Sequence, residues 1–554
     1  MTNRTFLLLV LMAAVPLLLF ANGDQEAATE STDEVQLNPE GVFPIVDETV
    51  TLDVFGPAVE FDMEENAYTQ WLEEKTNVHV DWQLVPGNTL VEKRNLLLSS
   101  GDYPDVFLQS QFRPSLQMVY GSRGVLVPLN DLIDEYGVNL RRAFQENPWA
   151  EQAMRSVDGN IYAVPVIKSC LHCQHYRGRF WVYQPWLDEL GLEHPETLDE
   201  FHEMLLAFKN EDPNGNGEAD EIPLSAAMGH PYYNNDTHID LFIMNAFVYD
   251  DAKDRLIFRD DQVEVVYDDP EWREGLRYLN MLYEDGLIHQ EAFVQQRPQL
   301  KSLGENEVPI LGATPAGHPA RFTQYGGESG RFLEYSALAP LIGPDGERRH
   351  NYDPYIDLKE DRMVITSEAN AAVAFRWADV QMSEEGTLRM WLGRPGIEWE
   401  YAEPGEGLGT NGEPAYIVEN TDLYDAAQNV VWGQYGTNYR RDELFHGRLA
   451  PESPEERRAD INALLYDVTE EKYQPYAVSE DILVPPLWFT EDQAAELADL
   501  RTALTTYWEE SMAQFIIGDL DIEEDWDRYL RELETIGLDR YEELLNAAYD
   551  AKYR

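Results

Sequence analysis

Val50-Thr51-Leu52-Asp53-Val54-Phe55 and Val78-His79-Val80-Asp81-Trp82-Gln83-Leu84, separated by the helical stretch Ala67 to Lys75, decide the fold class. Apolar and polar residues alternate along the second segment, the period of a strand with one covered face. Leu90 to Leu98 has helical spacing, and Ser100-Gly101-Asp102-Tyr103-Pro104 turns the chain into a third strand, Asp105-Val106-Phe107-Leu108. Strands alternating with helices predict an α/β protein on a mostly parallel sheet, because parallel pairs need crossovers long enough to hold a helix. In such sheets ligands lie beyond the carboxyl ends of the strands, which makes Gln109, Ser110 and Gln111 candidate cleft residues.

Further along, Asp158-Gly159-Asn160 turns into a strand from Ile161 to Pro165, and Arg177 to Tyr183 is again strand-like. Between them lies Cys170-Leu171-His172-Cys173, with His175 just beyond; these are the only two cysteines. In an exported chain so close a pair reads as a small-loop disulfide, with a redox pair or a Zn²⁺ or Cu site using His172 and His175 as alternatives. Trp186, Leu187 and Leu190 begin a short helix that Gly191 stops. Thr197 and Glu200 form a capping box, and Phe201, Met204, Leu205 and Phe208 make the buried stripe of the helix that follows.

That helix delivers the chain into Asp212-Pro213-Asn214-Gly215-Asn216-Gly217-Glu218-Ala219-Asp220-Glu221. Asp212, Asn214 and Asn216 alternate, Gly217 supplies the sharp turn of an EF-hand loop, Glu218 offers a backbone carbonyl, and Asp220 follows two residues later. Hard oxygen ligands at this spacing suit Ca²⁺. Pro223 occupies the place of the usual bidentate glutamate, so Glu221 closes the shell. Because the loop lacks that glutamate and follows a core-facing helix, it reads as a structural pin rather than a sensor. Later amphipathic helices are expected at Glu271 to Tyr283, Asn370 to Met382 and, capped by Thr490 and Gln493, through Leu497, Leu500, Leu504, Tyr507, Met512 and Phe515. Trp526 to Leu533 and Tyr541 to Tyr549 add two more.

The chain has 554 residues, 103 acidic and 41 basic, a formal charge of −62. Such charge excludes phosphate-rich nucleic acids and anionic bilayers as partners. Disorder does not fit, because 12% of the residues are aromatic and the acids are scattered along amphipathic segments. The composition is that of an acidic, salt-adapted, halophile-like surface. Arg4 followed by the apolar run Phe6 to Phe20 and the small residues Ala21-Asn22-Gly23 reads as a signal peptide over residues 1–23, with an acidic tether over 24–44. The export signal implies a periplasmic or extracellular protein, and no lipobox cysteine follows the run.

Motifs for phosphate cradling, a Gly-x-Ser-x-Gly elbow and His-Glu-x-x-His are absent from the sequence. Aromatic residues beside turns suit sugar rings, whose apolar faces stack while their hydroxyls take hydrogen bonds. The segments that offer them are Tyr176 to Trp186, Tyr232 to Asn235, Trp391 to Tyr401 and Trp432 to Tyr439. From these, Tyr183, Trp186, Trp391 and Trp399 are expected as stacking platforms, and Gln109, Gln111, Arg177 and Arg394 as polar partners. A secreted carbohydrate-active enzyme, or a peptide or metal-chelate binder, is the alternative reading.

The ordered motifs Trp71-Leu-Glu-Glu-Lys-Thr76, Ser100-Gly-Asp-Tyr-Pro-Asp-Val106, Gly159-Asn-Ile-Tyr-Ala-Val-Pro165, Trp186-Leu-Asp-Glu-Leu-Gly191, Leu282-Tyr-Glu-Asp-Gly-Leu-Ile288, Pro340-Leu-Ile-Gly-Pro-Asp-Gly346 and Trp526-Asp-Arg-Tyr529 resemble those of bacterial extracellular solute-binding proteins of ABC importers, in the alginate-oligosaccharide-binding and lipoprotein-A-like group. The resemblance implies a two-lobed periplasmic-binding-protein fold of type II with a helical C-terminal extension, closing over ligand about a hinge. It implies a monomeric, non-catalytic carbohydrate receptor that serves membrane permease subunits, and Ca²⁺ in the Asp212 loop. Expected lobes are 45–160 with about 305–375, and 161–304 with about 376–554. Where relatives have Arg-Lys-Asp before Trp-Leu, this chain has Tyr183-Gln184-Pro185.

Overall fold

The alternation in the sequence becomes strands β1 (Val50–Pro57), β2 (Val78–Val85), β3 (Val106–Leu108), β4 (Ala163–Lys168), β5 (Phe180–Tyr183), β6 (Ile222–Leu224), β7 (Leu256–Arg259), β8 (Gln262–Val265), β9 (Leu311–Pro315), β10 (Tyr335–Leu338), β11 (Leu358–Ile365), β12 (Trp399–Tyr401), β13 (Ile417–Glu419) and β14 (Asn438–Arg440). The structure is a computed structural model that describes residues 35–173, 176, 178–229, 236–421, 423 and 428–554. The expected signal peptide and most of the tether lie outside the described residues. Leu37–Arg554 gathers into one unit, and no helix among the described residues is long and apolar enough to cross a membrane.

Two main sheets organise that unit. The first has the order β14-β4-β11-β3-β1-β2. β1 pairs in parallel with β2 and β3, β14 in parallel with β4, and β11 runs against both β3 and β4. The crossover from β1 to β2 is the helix Ala67–Thr76; Asn66 caps it by accepting from the Tyr68 N–H, and Asn77 ends it at φ 56°. Tyr68 and Leu72 bury its inner face, and the helix expected over Ala67 to Lys75 is formed.

The second sheet has the order β10-β5-β9-β6, in which only β6 and β9 are parallel. The expectation of a mostly parallel sheet therefore describes the first sheet and not the second. Phe180, Trp181, Phe201, Leu276, Leu504, Trp508, Phe515, Trp526, Tyr529 and Leu545 belong to one buried cluster. The three terminal helices, Glu491–Ile517, Ile522–Ile536 and Leu538–Tyr553, thus share the second sheet's core. Each large apolar side chain gains about 1.5–3 kcal/mol on leaving water, which fixes these otherwise acidic helices in place.

Sheet membership corrects the expected grouping of segments. β9 and β10 fall within 305–375 yet hydrogen-bond to β5 and β6, while β14 and the helices Ala371–Gln381 and Glu384–Leu392 pack with the first sheet. Strand periodicity reports which residues face a core, not which strands lie alongside. The chain crosses between sheets at 169–179, at 339–357 and at 441–490.

Candidate functional site

β1, β2, β3, β4 and β14 all point the same way, so their carboxyl ends and the start of β11 share one edge of the first sheet. Gln109 and Gln111 stand directly beyond β3, both at positive φ, 50° and 57°. A non-glycine residue in that region costs about 1–2 kcal/mol and persists only when its surroundings hold it. Arg94 does the holding: its Nη1 donates to the carbonyls of Ser110 (2.9 Å) and Gln111 (2.6 Å). The Ser110 hydroxyl donates to the Leu108 carbonyl at 3.0 Å, and the Gln109 N–H donates to the Arg362 carbonyl at 2.7 Å.

Arg362 follows a shift of register between Lys359 and Met363 in the β11–β4 pairing, a bulge of the kind that re-aims side chains. Its Nε and Nη1 are buried without a hydrogen-bond partner, as is Gln109 Oε1. Burial lowers the guanidinium's pKa, against the pull of Asp361 and Tyr435. Buried polar atoms are paired in the great majority of proteins, so unpaired donors and an acceptor at one sheet edge mark a place for polar ligand atoms.

Tyr435, which acts on Arg362, leads to further rings. Half-buried Trp82, whose Nε1 also lacks a partner, lies 5.6 Å from Trp432 and 6.4 Å from Tyr435. The Tyr435 hydroxyl donates to the Pro57 carbonyl at 2.9 Å. That crossing of the β1 end requires Gly56, since a Cβ there would lie 2.4 Å from the Tyr435 hydroxyl. A groove of about 360 Å³ runs from Trp82 along Leu84, Lys93 and Leu96.

The second sheet presents its own carboxyl edge beyond β6 and β9. Asp236 pairs with Arg297 and, at 2.8 Å, with Arg321 Nε. Gly317 follows β9 closely, where a Cβ would lie 2.7 Å from Asp236 Oδ2, and its carbonyl accepts from Arg179 Nη1 at 3.0 Å. Burial lowers His318 to about 4, with Arg321 acting in the same direction. Lys253 and Asp254, in the turn before β7, meet charges from the first sheet's side. Burial pushes the Asp254 carboxyl up, but Arg501, Lys253 and Arg113 outweigh it and hold it below the ordinary range.

Several expected site residues are elsewhere. Tyr183 (4% exposed), Trp186 (1%) and Trp399 (1%) are core residues, not stacking platforms. Tyr183 donates to Glu334 at 2.8 Å under the Arg331 guanidinium, Trp186 meets the Phe208 ring at 5.2 Å, and Trp399 Nε1 donates to the Gly393 carbonyl. Half-buried Trp391 stays near the first sheet's carboxyl edge, stacked on Phe445 at 4.8 Å and flanked by Arg448 and by Arg440, the last residue of β14, while Arg394 pairs with Glu398 and remains 46% exposed. The physical reason is common to the three buried rings: beside a turn, the same ring serves as core or platform according to what packs above it. Arg177 and Tyr232 to Asn235 lie outside the described residues. Arg362 and Trp82 were not singled out in the sequence, because nothing local separates an arginine with unpaired nitrogens or a half-buried strand tryptophan from a structural one.

In the Asp212 loop, the Asp212 carboxylate accepts from the Asn216 and Gly217 N–H groups at 3.1 and 3.0 Å. Asn214 and Asn216 each donate to Asp220, at 2.9 and 3.0 Å, and the Glu218 N–H donates to Asn216 Oδ1. Glu221 Oε1 is buried without a partner, and burial together with the Asp212 and Asp220 carboxylates raises its pKa. An orphaned buried carboxylate oxygen beside two more carboxylates fits a divalent cation of oxygen preference.

Residues 62–297 match the family described as bacterial extracellular solute-binding protein. The fructooligosaccharide ABC transporter substrate-binding protein FusA of Streptococcus pneumoniae is 30% identical over 98% of this chain and 97% of its own. Its structure in complex with kestose has a TM-score of 0.71 at 28% identity, covering 90% of this chain and 99% of that chain. A FusA EF-hand mutant bound to fructo-nystose also has a TM-score of 0.71, at 27% identity over 90% and 99% of the two chains. A human-milk-oligosaccharide-binding protein of Bifidobacterium longum infantis shares the fold, with a TM-score of 0.75 at 19% identity over 91% of this chain and 99% of that one. The two-sheet architecture with its helical C-terminal extension is the type II periplasmic-binding-protein fold, and this chain belongs to the bacterial extracellular solute-binding proteins of ABC transporters.

Proposed function

We propose that this protein is an exported, monomeric and non-catalytic receptor that binds an oligosaccharide between two lobes and delivers it to the permease subunits of an ABC importer. One lobe is built on the first sheet, from 45 to about 170 and from about 356 to 450. The other holds 178 to about 340 and the terminal helices from about 454 onward. The observation that carries the reading is the set of buried, unpaired hydrogen-bonding atoms at the first sheet's carboxyl edge, Gln109 Oε1 and Arg362 Nε and Nη1, with Tyr435 acting on Arg362 and its ring 6.4 Å from half-buried Trp82. Hydroxyl groups satisfy both kinds of atom, and a sugar face covers an aromatic ring.

Fructooligosaccharides are the first candidates because FusA, named for them, is 30% identical over nearly the whole chain. A formal charge of −62 disfavours uronate oligomers at low salt. In the Asp212 loop, Asp212, Asn214, Asn216, Asp220 and Glu221, with the Glu218 carbonyl, would hold Ca²⁺, and the orphaned Glu221 oxygen supports that assignment. When bound, the ion neutralises adjacent carboxylates. The reading is tested by titration calorimetry of the purified protein against kestose, longer fructooligosaccharides, maltooligosaccharides and uronate oligomers. Saturable one-to-one binding to a neutral oligosaccharide, weakened by Arg362→Met and leaving the sugar intact, is expected. Sugar cleavage, or no binding anywhere on the panel, overturns it.

A further inference from the structure

The segment Cys170-Leu171-His172-Cys173 lies in the first crossing between the sheets, and its cysteines form a disulfide. The two sulfurs and one His172 nitrogen all lie within 4.8 Å of one another. Cys170 and His172 are buried and Cys173 half-buried. A second imidazole stands against His172 from the third crossing: His446, 0% exposed, places Nε2 3.2 Å from His172 Nδ1. Its other nitrogen, Nδ1, is 2.5 Å from Asp442 Oδ1. The rings of Phe445 and Tyr466 pack on His446, with centroids 5.1 and 4.9 Å away.

In a tetrahedral site with metal–nitrogen bonds of about 2.0–2.1 Å, two nitrogen ligands stand about 3.3 Å apart. The two imidazoles are already at that separation. A carboxylate on the far nitrogen of a histidine is the usual means of fixing the tautomer and orientation of a metal-bound imidazole. With the disulfide closed the same atoms make a hydrogen-bonded chain: His446 Nδ1–H donates to Asp442, and His172 Nδ1–H donates to His446 Nε2. Opening the sulfur–sulfur bond supplies the two soft ligands that this histidine pair lacks.

We propose that the dithiol form of this segment binds one Zn²⁺, or another soft d¹⁰ ion, through Cys170 Sγ, Cys173 Sγ, His172 Nδ1 and His446 Nε2, with Asp442 orienting His446. A dithiol reductant opens the site. Its thiolate attacks the more exposed Cys173 sulfur, its second thiolate closes the reductant's own disulfide, and both protein sulfurs leave as thiols, two electrons and two protons having passed to the protein. The ion then displaces both thiol protons to solvent, and the His172 ring proton moves from Nδ1 to Nε2. The disulfide constrains only its own four-residue turn. The metal ties the first crossing to the third, so loading stiffens the connection between the lobes.

The test uses the full chain, reduced with a phosphine, freed of reductant without oxygen, and titrated with Co²⁺. Thiolate-to-cobalt charge-transfer and tetrahedral d–d bands that saturate at one equivalent, vanish on adding Zn²⁺ and are absent from the oxidised protein are expected. Cobalt in the oxygen-lined Asp212 loop gives no charge-transfer band. His446→Gln is expected to weaken binding by more than about tenfold, and Asp442→Asn by about tenfold. Asp442 is 55% exposed, so its substitution tests the site even where His446→Gln fails to fold. Absence of the charge-transfer band at one equivalent, or affinity unchanged in Asp442→Asn, overturns the proposal.

Discussion

Arg362 shows a residue working against stability. Its unpaired buried nitrogens cost free energy in the ligand-free protein, since a buried charge needs partners. Replacing it with methionine is expected to leave the melting temperature of the ligand-free protein unchanged or higher, while oligosaccharide affinity falls roughly 10–100-fold, the worth of about 1.5–3 kcal/mol in hydrogen bonds to a charged group. Thermal unfolding and calorimetry of one preparation read both effects. His350 gives a pH signature. Its Nδ1 donates to the Asn351 carbonyl at 2.9 Å, its Nε2 is buried without a partner, and burial lowers its pKa to about 4. Above about pH 6.5 the ring is neutral folded and unfolded and contributes nothing. As pH falls from 6.5 to 4 the unfolded chain takes up a proton that the folded chain refuses, so stability is lost across that window. Relative to His350→Asn, the unsubstituted protein is expected to lose at most about 3 kcal/mol between pH 7 and pH 4, measured by urea unfolding. Neither residue declares itself in the sequence, because each depends on what is packed around it.

Elements were far more legible. Capping boxes read at Thr197 with Glu200 and at Thr490 with Gln493 are both formed, at the starts of Leu198–Asn210 and Glu491–Ile517. These are interactions over three residues, so nearest neighbours suffice to encode them. The Asp212 loop is similarly local, and its orphaned Glu221 oxygen makes it an element that an ion should stabilise. Chelation is expected to lower the melting temperature, and Asp212→Ala to abolish that dependence on added Ca²⁺. Oligosaccharide affinity of the still-folded protein should change little. A loss of affinity with the fold intact would assign the loop to ligand binding rather than to support of the chain between the Leu198–Asn210 helix and β6.

At the scale of the molecule the dominant quantity is the formal charge of −62. Self-repulsion among surface carboxylates opposes compaction, and salt screens it over a distance of about 10 Å at 0.1 M. The melting temperature is therefore expected to rise steeply with added KCl at one fixed excess of Ca²⁺; a flat response would mean that ion pairs such as Arg540 with Glu496 already neutralise the surface. The sequence by itself determined the α/β class, the helix caps, the oxygen-rich loop and the run of motifs that marks the family, because each is written within a few residues or in their order. The tertiary structure decided that β9 and β10 join the second sheet, that Tyr183, Trp186 and Trp399 are core, that Arg362 and Gln109 meet at one edge, and that His446 stands against His172. Those facts join residues far apart in the chain, and only the packing of whole elements brings them together.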